Sequence, residues 1–285
     1  MKSVKVTSVQ EFLKELENVS TVFSQKNKLF YHGLFNNNWK LEANVFRGEY
    51  SERTICLDFK QYATLMGVDY DPYLECDKML MDMQHNRIPT RMLDWTFNPL
   101  VALYFACVED VYTVLTLAGK KLTVNESDGV VWVFDPWVYY ESIVPNPSIP
   151  RIHDAHLFAR SLLSYGYEPD YVCAEANERY GTSLSCCDLK LPFPVVSPFT
   201  NKRKHAQEGC FTIPGTYRGD MIALDEFKRN AVCITIAQES KGDIEEQLNR
   251  IGINDFTIYP DVDGFARQVA RTGGLFRQAN RGSKK

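Results

Sequence analysis

The stretch from Gln84 to Ala106 constrains this chain most. Asn98 is a good helix N-cap and Pro99 a good first helical residue. The helix body that follows, Leu100-Val101-Ala102-Leu103-Tyr104-Phe105-Ala106, is apolar nearly all round. Such a helix has no face to offer water, so the chain must bury it on several sides. A length of 285 residues allows that. A chain of this size buries about three quarters of its unfolded surface if it folds as a unit. A composition of 45% hydrophobic and 24% charged residues is that of a globular protein. No run of about 18 apolar residues occurs, so no transmembrane helix is expected. The opening MKSVKVTSVQEF has no continuous apolar core, and no secretory signal is expected either. The eight cysteines (56, 76, 107, 173, 186, 187, 210 and 233) form no C-x-x-C pair. They read as reduced, buried thiols of a cytoplasmic protein.

Around the apolar helix the rest of the chain is a mixture. Ser8 and Glu11 predict a capped first helix with Val9, Phe12, Leu13 and Leu16 on one face. Leu29-Phe30-Tyr31 suits a buried strand that meets a turn at Gly33. A helix is predicted from about Pro72 to His85, ended by Ile88-Pro89, and Gln84, His85, Thr90, Arg91 and Asp94 then read as polar groups of a ligand site around a Pro-containing turn between two apolar helices. Val130 to Phe134 reads as a fully buried strand. Further strand signals fall at Pro194–Ser197, Cys210–Ile213 and Val232–Ile236. Ile244, Leu248 and Ile251 mark a helix stopped by Gly252. Phe256–Tyr259 is strand-like, and a last helix begins near Asp261 or Asp263. Strands and helices do not alternate regularly, which predicts an α+β fold with a mixed, mainly antiparallel β core covered by helices. Neither G-x-G-x-x-G nor a Walker A sequence is present.

Three stretches read together resemble the FRG domain family. The first is Phe30-Tyr31-His32-Gly33 with Trp39-Lys40-Leu41 and Phe46-Arg47. The second runs from Gln84-His85-Asn86-Arg87 through Pro89-Thr90-Arg91-Met92-Leu93-Asp94-Trp95-Thr96 to Ala106. The third is Arg203 to Gln207, with Gly209 and Phe211-Thr212. Tyr259 to Gly264 is similar to the family's ending. Two positions depart from the pattern: His32 replaces the name-giving arginine, and Arg87 replaces the usual glycine. The resemblance implies an N-terminal helical segment at 1–24, one FRG domain over 25–270 with an insertion or subdomain at 145–192, and a basic flexible tail at 271–285. Members occur among bacterial and phage proteins in settings of toxins and phage defence, a fold-level association.

A more distant resemblance links the same residues to the ADP-ribosyltransferase pattern. Tyr31-His32-Gly33 is similar to its first segment, which contacts the ribose of NAD. Asp94-Trp95-Thr96 with Asn98-Pro99 is similar to its second, which shapes the nicotinamide pocket. The resemblance implies a cleft of His32, Arg47, Gln84, Arg91 and Thr96 holding a nucleotide, with NAD the first candidate. Asp94, Gln207 and Glu208 are the candidate catalytic residues, since a carboxylate would stabilise the charge that develops as nicotinamide leaves. Gln207, at the family position, is neutral, and this favours a rival reading: a non-catalytic module that recognises a nucleotide, nucleic acid or phage component. A protein or nucleic-acid acceptor is the expected partner, and no membrane is expected.

Other clusters read more simply. His153 and His156 with Asp154 lack further ligands at useful spacing, so no metal is expected. Lys202-Arg203-Lys204-His205 could hold a phosphate or nucleic acid, but as a four-residue cluster in an acidic chain it reads as a solvated basic face. With Lys plus Arg at 32 and Asp plus Glu at 36, the net charge of −4 gives no general attraction for anions. Any anionic ligand must be held locally, and Arg47 and Arg91 are the expected charge-assisted partners.

Overall fold

A computed structural model describes residues 4–23, 28–70, 76–109, 127–143, 174, 178, 191–196, 202–214 and 217–272. The strands are β1 (Val4–Val6), β2 (Phe30–Leu34), β3 (Leu93–Thr96), β4 (Gly129–Phe134), β5 (Phe193–Val195), β6 (Gly209–Ile213) and β7 (Ala231–Ile236). The helices are α1 (Val9–Ser20), α2 (Glu52–Leu65), α3 (Cys76–His85), α4 (Pro99–Cys107), α5 (Pro136–Ile143), α6 (Lys202–Ala206), α7 (Asp225–Asn230), α8 (Lys241–Arg250), α9 (Asp255–Ile258) and α10 (Val262–Thr272). All seven strands form one sheet in the order β1-β7-β4-β2-β3-β6-β5. Only the β1–β7 pair is parallel. The mixed, mainly antiparallel α+β core is as expected.

Local signals account for several boundaries. The Ser8 hydroxyl accepts the Glu11 N–H, and the Asn98 amide oxygen accepts the Leu100 N–H. Gly252 ends α8 at φ 90°, a left-handed conformation that costs glycine little. Arg87 follows α3 at φ 64°. A side chain is strained there by roughly 1–2 kcal/mol, where glycine would be tolerated at little cost. Arg87 also reaches Asp263 at 2.9 Å, tying the end of α3 to α10.

Several elements differ from the sequence reading. The N-terminal segment also supplies β1, an edge strand paired with β7. Leu93–Thr96 is a strand in the middle of the sheet, not part of a turn. Four residues are too few for a periodic signal, and a polar Asp94 interrupts the apolar ones. Phe256–Tyr259 is not a strand. Asp255–Ile258 is one helical turn, closed by a capping box in which Asn254 and Thr257 exchange hydrogen bonds. Local capping outweighed the short apolar run. The 145–192 insertion, the His153–His156 group, Cys173, Cys186, Cys187 and the tail from 273 lie outside the described residues, apart from 174, 178, 191 and 192. Among the described residues no helix is long and apolar enough to cross a membrane.

Side chains alternate across the sheet, so each face gathers its own core. On one face Phe30, Leu34, Trp95, Trp132 and Phe134 pack with Tyr139 of α5 and Phe227 of α7. The other face carries two separate clusters. Tyr31, Val131, Val133, Ile234 and Ile236 pack under α1, α4 and α8. Val195, Phe211 and Ile213 pack under α2 and α3. The apolar helix α4 is buried as its sequence demands, with Ala102, Leu103 and Ala106 fully inaccessible. It lies directly on the sheet backbone, because glycines at 33 and 129 leave no side chain beneath it. A Cβ at Gly33 would stand 1.9 Å from the Ala102 carbonyl oxygen, and one at Gly129 would stand 2.3 Å from that of Ala106.

Candidate functional site

The two clusters on the second face do not meet. Between them lies β3, which points Asp94 and Thr96 to that side and Leu93 and Trp95 to the other. Trp95 is core, as its neighbours Phe30 and Phe134 show. Asp94 is solvent-accessible, yet the surrounding protein pushes its pKa up. Asp94 is thus a carboxylate both reachable and crowded.

The sheet is also split here. β2 and β3 share one register pair, Tyr31 with Thr96, whereas β2 and β4 share five. Beyond Thr96 the β2–β3 ladder is replaced by a side chain: His32 Nδ1 lies 2.6 Å from the Asp94 carbonyl oxygen. A carbonyl only accepts, so Nδ1 carries the proton and Nε2 is the acceptor. Nε2 has no hydrogen-bond partner among the described residues. Burial drives the His32 pKa down to about 4, with nearby Arg47 acting in the same direction and the Asp94 carbonyl opposing both. The ring is therefore neutral at pH 7.

This depression makes stability pH-dependent with a definite sign. Between pH 6.5 and about 4 the unfolded histidine binds a proton that the folded one refuses. His32 thus contributes stability that is complete above pH 6.5 and is lost as pH falls toward 4. His32→Gln is expected to flatten the fall of the urea midpoint between pH 7 and 4. An unchanged slope in the variant would show that the ring protonates freely in the folded protein.

Four sequence-predicted residues border the split, but from both faces of the sheet: His32 lies opposite Trp132 with its ring centre 5.5 Å from that of Trp95, on the first face, and the Asp94 side chain lies on the second. Arg47 donates to the Glu42 carbonyl at 3.1 Å and lies close enough to lower the His32 pKa and to feel the carboxylates of Glu42 and Asp94. Gln84 accepts from the Thr90 hydroxyl, which fixes its amide so that the NH2 side faces the Met92 carbonyl at 3.3 Å and the Asp94 carboxylate. Against burial, the Gln84 hydrogen bond, then Arg203, Lys204 and Arg47, hold the Asp94 pKa down.

The other four are engaged elsewhere. Arg91 is buried and paired with Glu52 at 2.5 Å, binding the start of α2 to the entry of β3; its partner is not Asp94. Thr96 is also buried. It donates to the Gln207 carbonyl at 2.6 Å and accepts the Asn98 N–H, locking β3 to the turn before β6. The Gln207 amide donates to the Ile258 carbonyl at 3.3 Å. Glu208, at φ 46°, accepts from Asn98 at 3.1 Å at the head of α4. Gln207 and Glu208 lie in a turn, not a strand, so strand alternation does not decide their directions.

Two residues that read as a solvated face belong to the site. Lys204 is 7% exposed, its Nζ 4.8 Å from the centre of the Phe211 ring and 3.8 Å from the Met81 sulfur. Phe211 is the cross-strand partner of Asp94. The Arg203 guanidinium stands 4.4 Å from the centre of the Tyr259 ring. A five-residue basic helix carries no periodic pattern, so nothing local distinguishes this burial.

A separate cavity of about 190 Å3 lies between α4, α8 and α10, lined by Tyr104, Glu245, Asp255 and Arg271 among others. Its charges answer one another: Asp255 accepts from Tyr104 at 2.7 Å and pairs with Arg271 at 2.8 Å, and Arg271 also meets Glu245. Among the described residues no group of acidic, histidine or cysteine side chains could hold a metal.

Taken together, the fold and site define an α+β protein with polar side chains along a split between β2 and β3 of an open, mostly antiparallel sheet. Residues 27–112 match the FRG domain model, and the chain carries an FRG domain. The matched segment contains His32, Arg47, Gln84 and Asp94 and ends before α6. No curated protein and no solved structure matches the chain.

Proposed function

We propose that the cleft binds a nucleotide, with NAD the first candidate, and that the protein is an ADP-ribosyltransferase-like effector of the toxin or phage-defence kind, acting in the cytoplasm. The observation that carries this reading is the split between β2 and β3, with the neutral His32 acceptor, Arg47, the oriented Gln84 amide and Asp94 gathered along it.

The chemistry follows from the charges. When the bond from the ribose C1′ to nicotinamide breaks, its electron pair leaves with nicotinamide and positive charge develops at C1′. A carboxylate at Asp94 stabilises that charge more in the transition state than in the ground state. An acceptor nucleophile on a protein or nucleic acid then bonds C1′ and releases its proton. His32 Nε2 would accept from a ribose hydroxyl, and Arg47 would pair with phosphate.

A specific observation favours the second reading, a non-catalytic binding module. Gln207 has no charge and its amide is held by the Ile258 carbonyl, while Glu208 is bonded to Asn98. Under this reading the cleft recognises its ligand and stops there. Calorimetry with NAD, ADP-ribose and a mononucleotide panel tests nucleotide binding, and no binding at millimolar ligand removes the transferase reading. Nicotinamide release, with and without cell lysate as acceptor, separates the two readings.

A further inference from the structure

We infer that Thr90 is a positioning residue of this site: its buried hydroxyl holds the Gln84 amide with the NH2 group toward Asp94, so that the Asp94 carboxylate keeps a donor. The inference rests on the reading of Asp94 as the reacting carboxylate and names a residue on which that role depends. Its test needs no ligand, so the two can fail separately.

Thr90 lies in the run Pro89-Thr90-Arg91 that leads from α3 into β3, and it is 1% exposed. Its hydroxyl is used in both directions. The oxygen accepts the Met92 N–H at 3.3 Å, and the proton goes to the Gln84 amide oxygen. On the other side of that amide stand two acceptors, the Met92 carbonyl at 3.3 Å and the Asp94 carboxylate. With the amide turned over, its oxygen would face both of them, and the Thr90 proton would have no acceptor. One hydroxyl therefore decides which end of the amide Asp94 meets. Thr90 is itself fixed, because its carbonyl accepts the Val45 N–H at 3.3 Å. Asp94 is thereby held at two points: His32 reaches its carbonyl across the split at 2.6 Å, and Gln84 its carboxylate. A group that stabilises developing charge needs this kind of preorganisation.

Without the hydroxyl, the half-buried Gln84 loses the donor to its oxygen, and its amide is free to turn over or to swing out to water. Asp94 then loses a hydrogen bond to its ionised form, and its pKa rises further above the ordinary carboxylate value. The other charged groups around Asp94 are not bonded to Thr90. Arg203 and Lys204 from α6 and Arg47 are cations throughout an acid titration, and burial keeps the Cys210 thiol on β6 protonated. Glu52 is paired with Arg91, and Glu208 is bonded to Asn98. His32 on β2 is the one ring that titrates nearby, at about pH 4.

Carboxyl 13C NMR of the full chain reads the Asp94 titration directly, with the Asp94 signal assigned by its loss in Asp94→Asn and the His32 ring followed in the same samples. Thr90→Val keeps the shape of the side chain without the hydroxyl, and Thr90→Ser keeps the hydroxyl. The Asp94 midpoint is expected to rise by about one pH unit or more in Thr90→Val, the size of a lost hydrogen bond to a charged group, and to return toward wild type in Thr90→Ser. Gln84→Leu should raise it by as much, and the double variant no further, since both changes remove one contact. In the wild type, the Gln84 side-chain NH2 signals should shift with the Asp94 midpoint, a measurement that holds if Thr90→Val fails to fold. An unchanged Asp94 midpoint in Thr90→Val would overturn the inference, as would Gln84 NH2 signals indifferent to the Asp94 titration. A rise in Thr90→Val that Gln84→Leu does not reproduce would overturn the route through Gln84. Failure of every nucleotide to bind would remove the reading of the site and leave the role of Thr90 standing.

Discussion

Gly33→Ala is expected to destabilise the protein by more than about 3 kcal/mol, at or beyond the upper end of typical overpacking costs. The added methyl carbon would sit 1.9 Å from the Ala102 oxygen and 2.9 Å from the Ala106 nitrogen. Both are backbone atoms within the body of α4, so no flexible side chain can swing away. β2 cannot retreat either, because its five register pairs with β4 fix it in the sheet centre. The helix would have to rise off the sheet, and its neighbours from α1 and α8 with it. Gly242→Ala is the control. It lies in α8 with nothing within 4 Å of the new carbon, and a helical glycine replaced by alanine gains up to about 1 kcal/mol. Urea unfolding of the two variants should therefore move in opposite directions. A Gly33→Ala midpoint within error of wild type would mean that α4 does not rest on the strand as closely as described.

The same glycine shows which parts of this fold are legible in sequence. Gly33 and the capped, wholly apolar α4 can be read separately, but not that one lies on the other. The lengths of chain between paired strands carry no local trace of the pairing. β3 is the clearest case: flanked by two helices and only four residues long, it reads as a turn, yet it is the strand on which the site is built. The site divides along the same line. His32, Arg47, Gln84 and Asp94 stand out as polar residues among apolar ones, and the sheet brings them to one split. Arg91 and Thr96 stand out equally, but their partners, Glu52 and the Gln207 carbonyl, lie 39 and 111 residues away. Lys204 errs the other way, because a basic run looks solvated until Phe211 and Met81 are seen to cover it.

If the cleft is catalytic, Asp94→Ala is expected to slow nicotinamide release by about 100-fold or more, the usual effect of removing a preorganised charge stabiliser. The loss should fall on kcat. Binding of ADP-ribose should hold or strengthen, because removing Asp94 deletes a negative charge that interacts with Arg203, Lys204 and Arg47. A variant that lost affinity instead would show Asp94 holding the ligand rather than the transition state. The acid limb of the pH profile gives a second readout. Burial raises the Asp94 pKa above the ordinary carboxylate value, so activity should fall, on acidification, at a higher pH than for an exposed aspartate. His32 stays neutral down to about pH 4 and does not blur that limb at higher pH. Glu208→Ala is the discriminating comparison. Its carboxylate is bonded to Asn98 at the head of α4, past the Thr96–Gly209 pair that ends β3 and three positions from the Asp94–Phe211 pair, and its removal should change the rate only a few-fold. A large loss in Glu208→Ala with little in Asp94→Ala would move the catalytic role to the turn before β6. Losses of similar size in both would mean that the Asn98–Glu208 contact positions the strand carrying Asp94, and Glu208→Gln, which keeps that hydrogen bond, should then restore the rate.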